Sequence, residues 1–229
     1  MKQLEDFKNK HLDEDVYIYA SGKSCDYIDN SFFKNKVVIG VNQSYRRLKP
    51  TYLVRKEFKL LEKIITTNEL TEVIHFVSKG NCGLGNTKNY DTITTKFKNQ
   101  NNIVIYDHNQ NNRHITSLPD GDKLVVSYST ITTAIHLAAY MGAKNIIIVG
   151  HDCGLLNGES NFTDYHTKES LSVAWKKNPQ KQYNDWLGKI ENHTITLKKL
   201  LKDKYGCNVL SLNPFINFNL EGNKFTKNN

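Results

Sequence analysis

At 229 residues, with 38% hydrophobic residues, the chain is long enough to bury a full core without disulfide staples. Its four cysteines are scattered and form no C-x-x-C pair, which argues against a zinc site or disulfide framework and for a reducing, cytoplasmic setting. The formal net charge of +8 permits a polyanionic partner such as nucleic acid, but only Arg46, Arg47, Arg55 and Arg113 are arginines, and no dense basic run is interleaved with aromatics.

No stretch approaches the roughly 20 apolar residues that span a bilayer, and the charged first fifteen residues do not read as a secretory signal. They read as a helical or frayed polar lead-in. Residues 16–19 are a short β-branched and aromatic run, hence a buried strand. It breaks at Ser21, Gly22, Lys23 and Ser24. A small flexible turn after a first strand is where α/β folds bring backbone N–H groups up to a phosphate. Gly22 is expected to adopt φ > 0 and let the backbone approach, with Ser21, Lys23 and Ser24 adding hydroxyls and a cation. The spacing is neither a Walker loop nor G-x-G-x-x-G.

Residues 25–33 suggest a short helix. Residues 36–41 are a second strand ending at Asn42, Gln43 and Ser44, where Asn42 and Gln43 are turn formers or ligand readers. A third strand follows the break at Pro50 and ends in charge, with Glu57 as a minor carboxylate candidate. Residues 58–68 are helical by spacing, and 73–78 form a fourth strand. Residues 79–102, rich in Gly, Asn and Thr, read as an insertion loop; Gly80, Gly83 and Gly85 match no phosphate motif.

Residues 103–107 are a fifth strand. Residues 124–126 lead into Ser129 and Thr130, the expected N-cap of a helix with 3.6-residue periodicity that Gly142 stops. Residues 144–149, apolar on both faces, fit an interior parallel strand and end at Gly150, His151 and Asp152. Residues 155–182, with His166 and Trp175, look like a lid that closes on substrate. A helix over 183–205 is stopped by Gly206, and 208–212 is a final strand.

Alternating strand and helix imply an α/β fold: a Rossmann-like doubly wound, mostly parallel sheet, one domain over residues 1–229 with insertions near 79–102 and 155–182. Ligands of such sheets bind beyond the carboxyl ends of the strands, where the polar clusters fall.

These residues resemble the bacterial lipooligosaccharide sialyltransferases and the related pterin pyrophosphokinase-like and motility-accessory superfamily. The similarity rests on Ser21-Gly22-Lys23-Ser24 in place of a G-P-S turn, Asn42-Gln43 at the second strand end, Ser129-Thr130 opening a helix that ends Met141-Gly142, and Gly150-His151-Asp152. The departures are Lys23 for proline, Ile131 for glycine, and Lys189 where the family carries its histidine, with His193 one turn on. The resemblance implies a glycosyltransferase using a nucleotide-activated sugar, CMP- or UDP-linked, without metal. The acceptor is left open: a glycan, a small metabolite or modified nucleic acid.

The candidate bases are His151, His166 and His193. Lys189 supplies phosphate electrostatics. Asp152 is the best carboxylate, suited to a ribose hydroxyl, a Mg²⁺ ion or a helix cap. The alternatives are ATP- and Mg-dependent pyrophosphoryl transfer and a non-catalytic nucleotide-binding module. A homo-oligomer is compatible with all of these. His136 reads as a packed core residue; His11, His108 and His114 read as exposed loop residues.

Overall fold

The computed structural model describes residues 2–55, 70–78, 95, 97, 99–108, 114–165 and 179–212, with side chains at all of these except 108 and 179–187. The expected helix at 58–68, most of the 79–102 insertion, Glu57, His166 and Trp175 lie outside them.

Eight strands form a single parallel sheet: β1 Asp15–Tyr19, β2 Val37–Val41, β3 Tyr52–Arg55, β4 Ile74–Ser78, β5 Ile103–His108, β6 Lys123–Leu124, β7 Asn145–Val149 and β8 Asn208–Leu212. Their order is β6-β5-β4-β3-β2-β1-β7-β8. Every pairing is parallel, with β1 in register against β2 (Val16 opposite Val37) and β7 (Asp15 opposite Asn145). The fold is therefore α/β and Rossmann-like. The apolar runs follow from this, because both faces of a parallel sheet are covered.

Along β1 the side chains alternate. Val16 and Ile18 enter the larger core on one face, and Tyr17 and Tyr19 a smaller aromatic core on the other.

The sheet grows outward from β1 to β6. Helix α1, Thr130–Tyr140, then carries the chain back to the other side of β1. That reversal puts the topological switch point between β1 and β7. Every residue of α1 is buried. It lies across β1, β2, β3, β6 and β7, and α2, Pro179–Tyr205, packs on it and on β8. A helix covered on both sides is apolar all round, and Ala134, Ala138 and Ala139 allow the close approach. None of the described helices is long and apolar enough to cross a membrane.

The expected helix at 25–33 is instead two 3-10 turns, Lys23–Tyr27 and Asn30–Phe33. The first fifteen residues are not frayed. A 3-10 turn at Leu4–Phe7 buries both of its end residues (3% and 1% exposed). Phe7 meets the rings of Tyr52 and Phe76 edge-on at 6.0 and 5.0 Å. The next residues donate backbone N–H groups to the C-terminal carbonyls of α1: Asn9 to Tyr140 (3.2 Å), His11 to Met141 (2.7 Å) and Asp13 to Gly142 (3.0 Å). Those carbonyls have no partner within the helix. Gly142, at φ +87°, is the left-handed stop that was expected. His11 is not a free loop residue either: Nδ1 is 2.9 Å from the Glu14 carboxylate and Nε2 2.8 Å from the Tyr52 hydroxyl.

Phe7→Ala leaves a cavity where the lead-in enters the core. We expect it to cost about 3–5 kcal/mol in denaturant unfolding. A loss below about 0.5 kcal/mol, the usual range for an exposed position, would mean that the lead-in does not hold the core.

Candidate active site

The carboxyl ends of the strands carry three polar groupings. The first lies at the switch point. Gly22 sits at φ −65°, not in the left-handed region anticipated for it. Its N–H donates to the Gly150 carbonyl at 2.7 Å. An added Cβ would fall 2.5 Å from the Gly150 oxygen and 2.6 Å from the Asp152 carboxylate carbon. Glycine is required here because two loops of the protein touch.

Asp152 is buried. Its Oδ2 accepts from the Ser24 N–H at 2.8 Å and its Oδ1 from the Ser24 hydroxyl. Burial raises its pKa, and the two Ser24 bonds act against that. The carboxylate thus caps the 3-10 turn Lys23–Tyr27. Both oxygens have donors, which fits the helix-cap reading of this residue. Lys23 is likewise engaged: it pairs with Glu159 and with Asp26 (3.0 Å), and it donates to Thr163 Oγ1 at 3.3 Å. The Glu159 and Asp26 bonds raise its pKa.

The start of the expected lid is a seated strap. Phe162 N–H and Asn161 Nδ2 donate to the Ser21 carbonyl (3.0 and 3.2 Å). Thr163 donates through N and Oγ1 to Asp26 Oδ2 (3.0 and 2.8 Å). The Tyr165 hydroxyl donates to Gln43 Oε1 at 3.1 Å. Phe162 and Tyr165 are buried in the smaller core. Asp26 also meets Arg47 at 3.1 Å. Burial opposes ionisation of Asp26, but the bonds from Lys23 and Thr163 prevail, and its pKa is lowered.

The second grouping is at the ends of β2 and β3. Asn42 is left-handed, at φ +55°, which Asn tolerates. Its carbonyl accepts from Arg55 Nη2 at 2.7 Å. Arg55 ends β3, is 2% exposed, and lies over the Tyr45 ring at 5.1 Å. Sequence reasoning saw only a strand ending in charge and missed a buried guanidinium at the functional edge.

The third grouping surrounds the N-terminus of α1. Ser129 is the N-cap, accepting weakly from the Ile131 N–H at 3.4 Å, and Thr130 opens the helix. Thr132 Oγ1 donates to the Ser129 carbonyl at 2.7 Å, so it accepts from Ser127 at 2.9 Å. On α2, Lys189 and His193 lie one turn apart and share a face. Both meet Tyr128, just ahead of the cap: Lys189 Nζ is 5.3 Å from the ring centre, and the His193 ring 5.2 Å away at a 34° tilt. His114 adds a third ring, 6.1 Å from Tyr128 and 5.9 Å from His193.

His193 is only 7% exposed, and its Nδ1 has no hydrogen-bond partner among the described residues. Burial, then the charge of His114, lowers its pKa, so it is neutral near pH 7 with a lone pair to offer.

His151 behaves differently. Thr194 Oγ1 donates to the Ile190 carbonyl at 3.1 Å, so at 2.8 Å it accepts from His151 Nε2. That proton is committed, and burial holds the His151 pKa down to about 4. His151 thus pins α2 to the end of β7, beside His193. Cys153 lies 3.5 Å from His151 Nε2, and burial raises its pKa.

Lys189 and His193 therefore come together against Tyr128, one residue ahead of the Ser129 cap. Ser21–Ser24 and Asp152 form a structural joint, and Asn42 and Gln43 receive the strap. Tyr128 and His114 had no signal beyond their residue type. Among the described residues, no three His, Cys, Asp or Glu side chains stand close enough to share a metal ion. No protein-family model matches the chain, and no curated protein matches it in sequence.

Two outcomes follow from the joint and the strap. Gly22→Ala should itself destabilise the fold, by about 1–3 kcal/mol as for overpacking, read as a fall in Tm; an unchanged Tm refutes the contact. Asp26, with its folded pKa lowered, gives stability that is present above its unfolded pKa of about 4 and lost as pH falls through the lower folded value. Hydrogen exchange at the Thr163 amide, corrected for intrinsic rate, should rise over that acid window. In Asp26→Asn it should already be fast near neutral pH. Equal protection in the two proteins would place the latch elsewhere.

Proposed function

We propose that this chain is a glycosyltransferase using a nucleotide-activated sugar, with His193 as general base. The observation that carries the reading is the His193 imidazole. It is buried, neutral near pH 7 and unpartnered at Nδ1, and it lies beside a helix N-terminus at the carboxyl edge of a parallel sheet. A group with those properties accepts a proton from an acceptor hydroxyl.

Transfer needs two further functions: binding of the donor phosphate and stabilisation of the leaving group. The first turn of α1 offers N–H groups without intrahelical partners, and the helix dipole adds partial positive charge. Lys189 brings a full positive charge to the same ring, Tyr128. The acceptor oxygen gives its proton to His193 and bonds to the anomeric carbon. The bond from that carbon to the phosphate oxygen breaks, and the nucleotide leaves with its charge facing Lys189 and α1. The Ser21–Ser24 turn supports the site from below, through Asp152.

The test is turnover of a panel of CMP- and UDP-linked sugars by wild type and His193→Ala. We expect one donor to be consumed, and His193→Ala to lower turnover by roughly 10²–10⁴ with donor affinity little changed. Lys189→Ala should lower affinity and turnover together. Consumption of ATP with Mg²⁺, and of no nucleotide sugar, would replace this reading with pyrophosphoryl transfer.

A further inference from the structure

His114 lies between β5 and β6, on a segment distant in sequence from α2, and is exposed. It nevertheless closes a triangle of rings with Tyr128 and His193. Its ring stands nearly perpendicular to both, at 79° and 75°. An exposed loop residue with only a solvating role has no need to meet a buried imidazole edge to face. We infer that His114 is a positioning residue for His193: its ring fixes the tilt of the base against Tyr128, and its charge, when present, opposes protonation of the base. This inference rests on His193 being the base.

The groups that face His193 limit the alternatives. Its own helix contributes Lys189, which lies over the Tyr128 ring. Glu191 also belongs to α2, and its charge acts on Cys153. The segment before α1 brings Tyr128. The end of β7 brings His151, whose Nε2 proton is committed to Thr194. Among these groups, His114 is the basic side chain whose ring meets the His193 ring. It is also a named cause of the lowered His193 pKa, second to burial.

The consequence is functional. A base must be unprotonated to act, and a neighbouring cation opposes its protonation. The same charge would also face an incoming anionic donor. His114 thus couples two requirements of one site: the ionisation of the base and the local field at the phosphate.

The test follows the His193 imidazole by NMR titration in the intact chain, assigned by its loss in His193→Gln. His114→Phe keeps an aromatic ring and removes the charge. The His193 midpoint should rise by about half a pH unit, the shift that Coulomb's law gives for unit charges about 6 Å apart in a water-like dielectric. His114→Lys restores a cation and should hold the midpoint at or below the wild-type value. A midpoint unmoved in His114→Phe, or raised equally in His114→Lys, overturns the proposal. The titration needs no substrate, so its result is separate from that of the sugar-nucleotide assay. A shifted midpoint with no donor turned over would retain the His114–His193 coupling and remove the catalytic reading.

Discussion

The carboxyl edge depends on the joint between Ser24 and Asp152. The chain reverses direction across the sheet between β1 and β7, and there the first turn meets the end of β7. Two hydrogen bonds to one buried carboxylate, together with a backbone bond from Gly22 to Gly150, lock these loops. Breaking one partner would leave a buried polar group unsatisfied, which costs more than a typical hydrogen bond contributes. His151 precedes Asp152 and holds Thr194, so the same short segment also fixes α2. His193, beside Thr194, inherits its position from that joint.

Around β1 and β2 many polar groups satisfy one another: Lys23 with Asp26 and Glu159, Gln43 with Tyr165, and Ser21 with Asn161 and Phe162; the buried Tyr19 hydroxyl and Arg47 Nε have no hydrogen-bond partner among the described residues. Around α1, buried His193 retains an unpaired nitrogen, and Lys189 lies over a ring, not against a carboxylate.

Much of the fold was legible because its signals are local. Unbroken apolar runs gave the strands, and β8 emerged with its limits unchanged. Ser129 and Gly142 marked the ends of α1 by chemistry that needs only neighbouring residues. His136 was legible as core: it accepts from the Val125 N–H at Nδ1, so it is neutral there. The site was only half legible. Gly22, Lys23 and Asp152 have the residue types of a phosphate loop, yet the partners they meet across the β1–β7 joint lie more than a hundred residues away in sequence, and no local pattern reports them. The lead-in was misread for a related reason. Its polar residues alternate with only two buried anchors, and its backbone donors serve a helix end more than a hundred residues away. Arg55 and His114 gave no periodic signal; only tertiary structure shows what surrounds them.

The lead-in also bears on the order of folding. Residues 9–13 leave the ribosome early, but the carbonyls they cap belong to α1, and β1 cannot gain its second neighbour until β7 exists. Before that point the growing chain has one flank of β1 open, with Leu4 and Phe7 unable to complete their packing. Non-local closure of this kind slows folding, and it leaves an unpaired strand edge exposed while synthesis continues. An element made early is thus completed by elements made much later, and the nascent chain depends on downstream residues before β1 is secure.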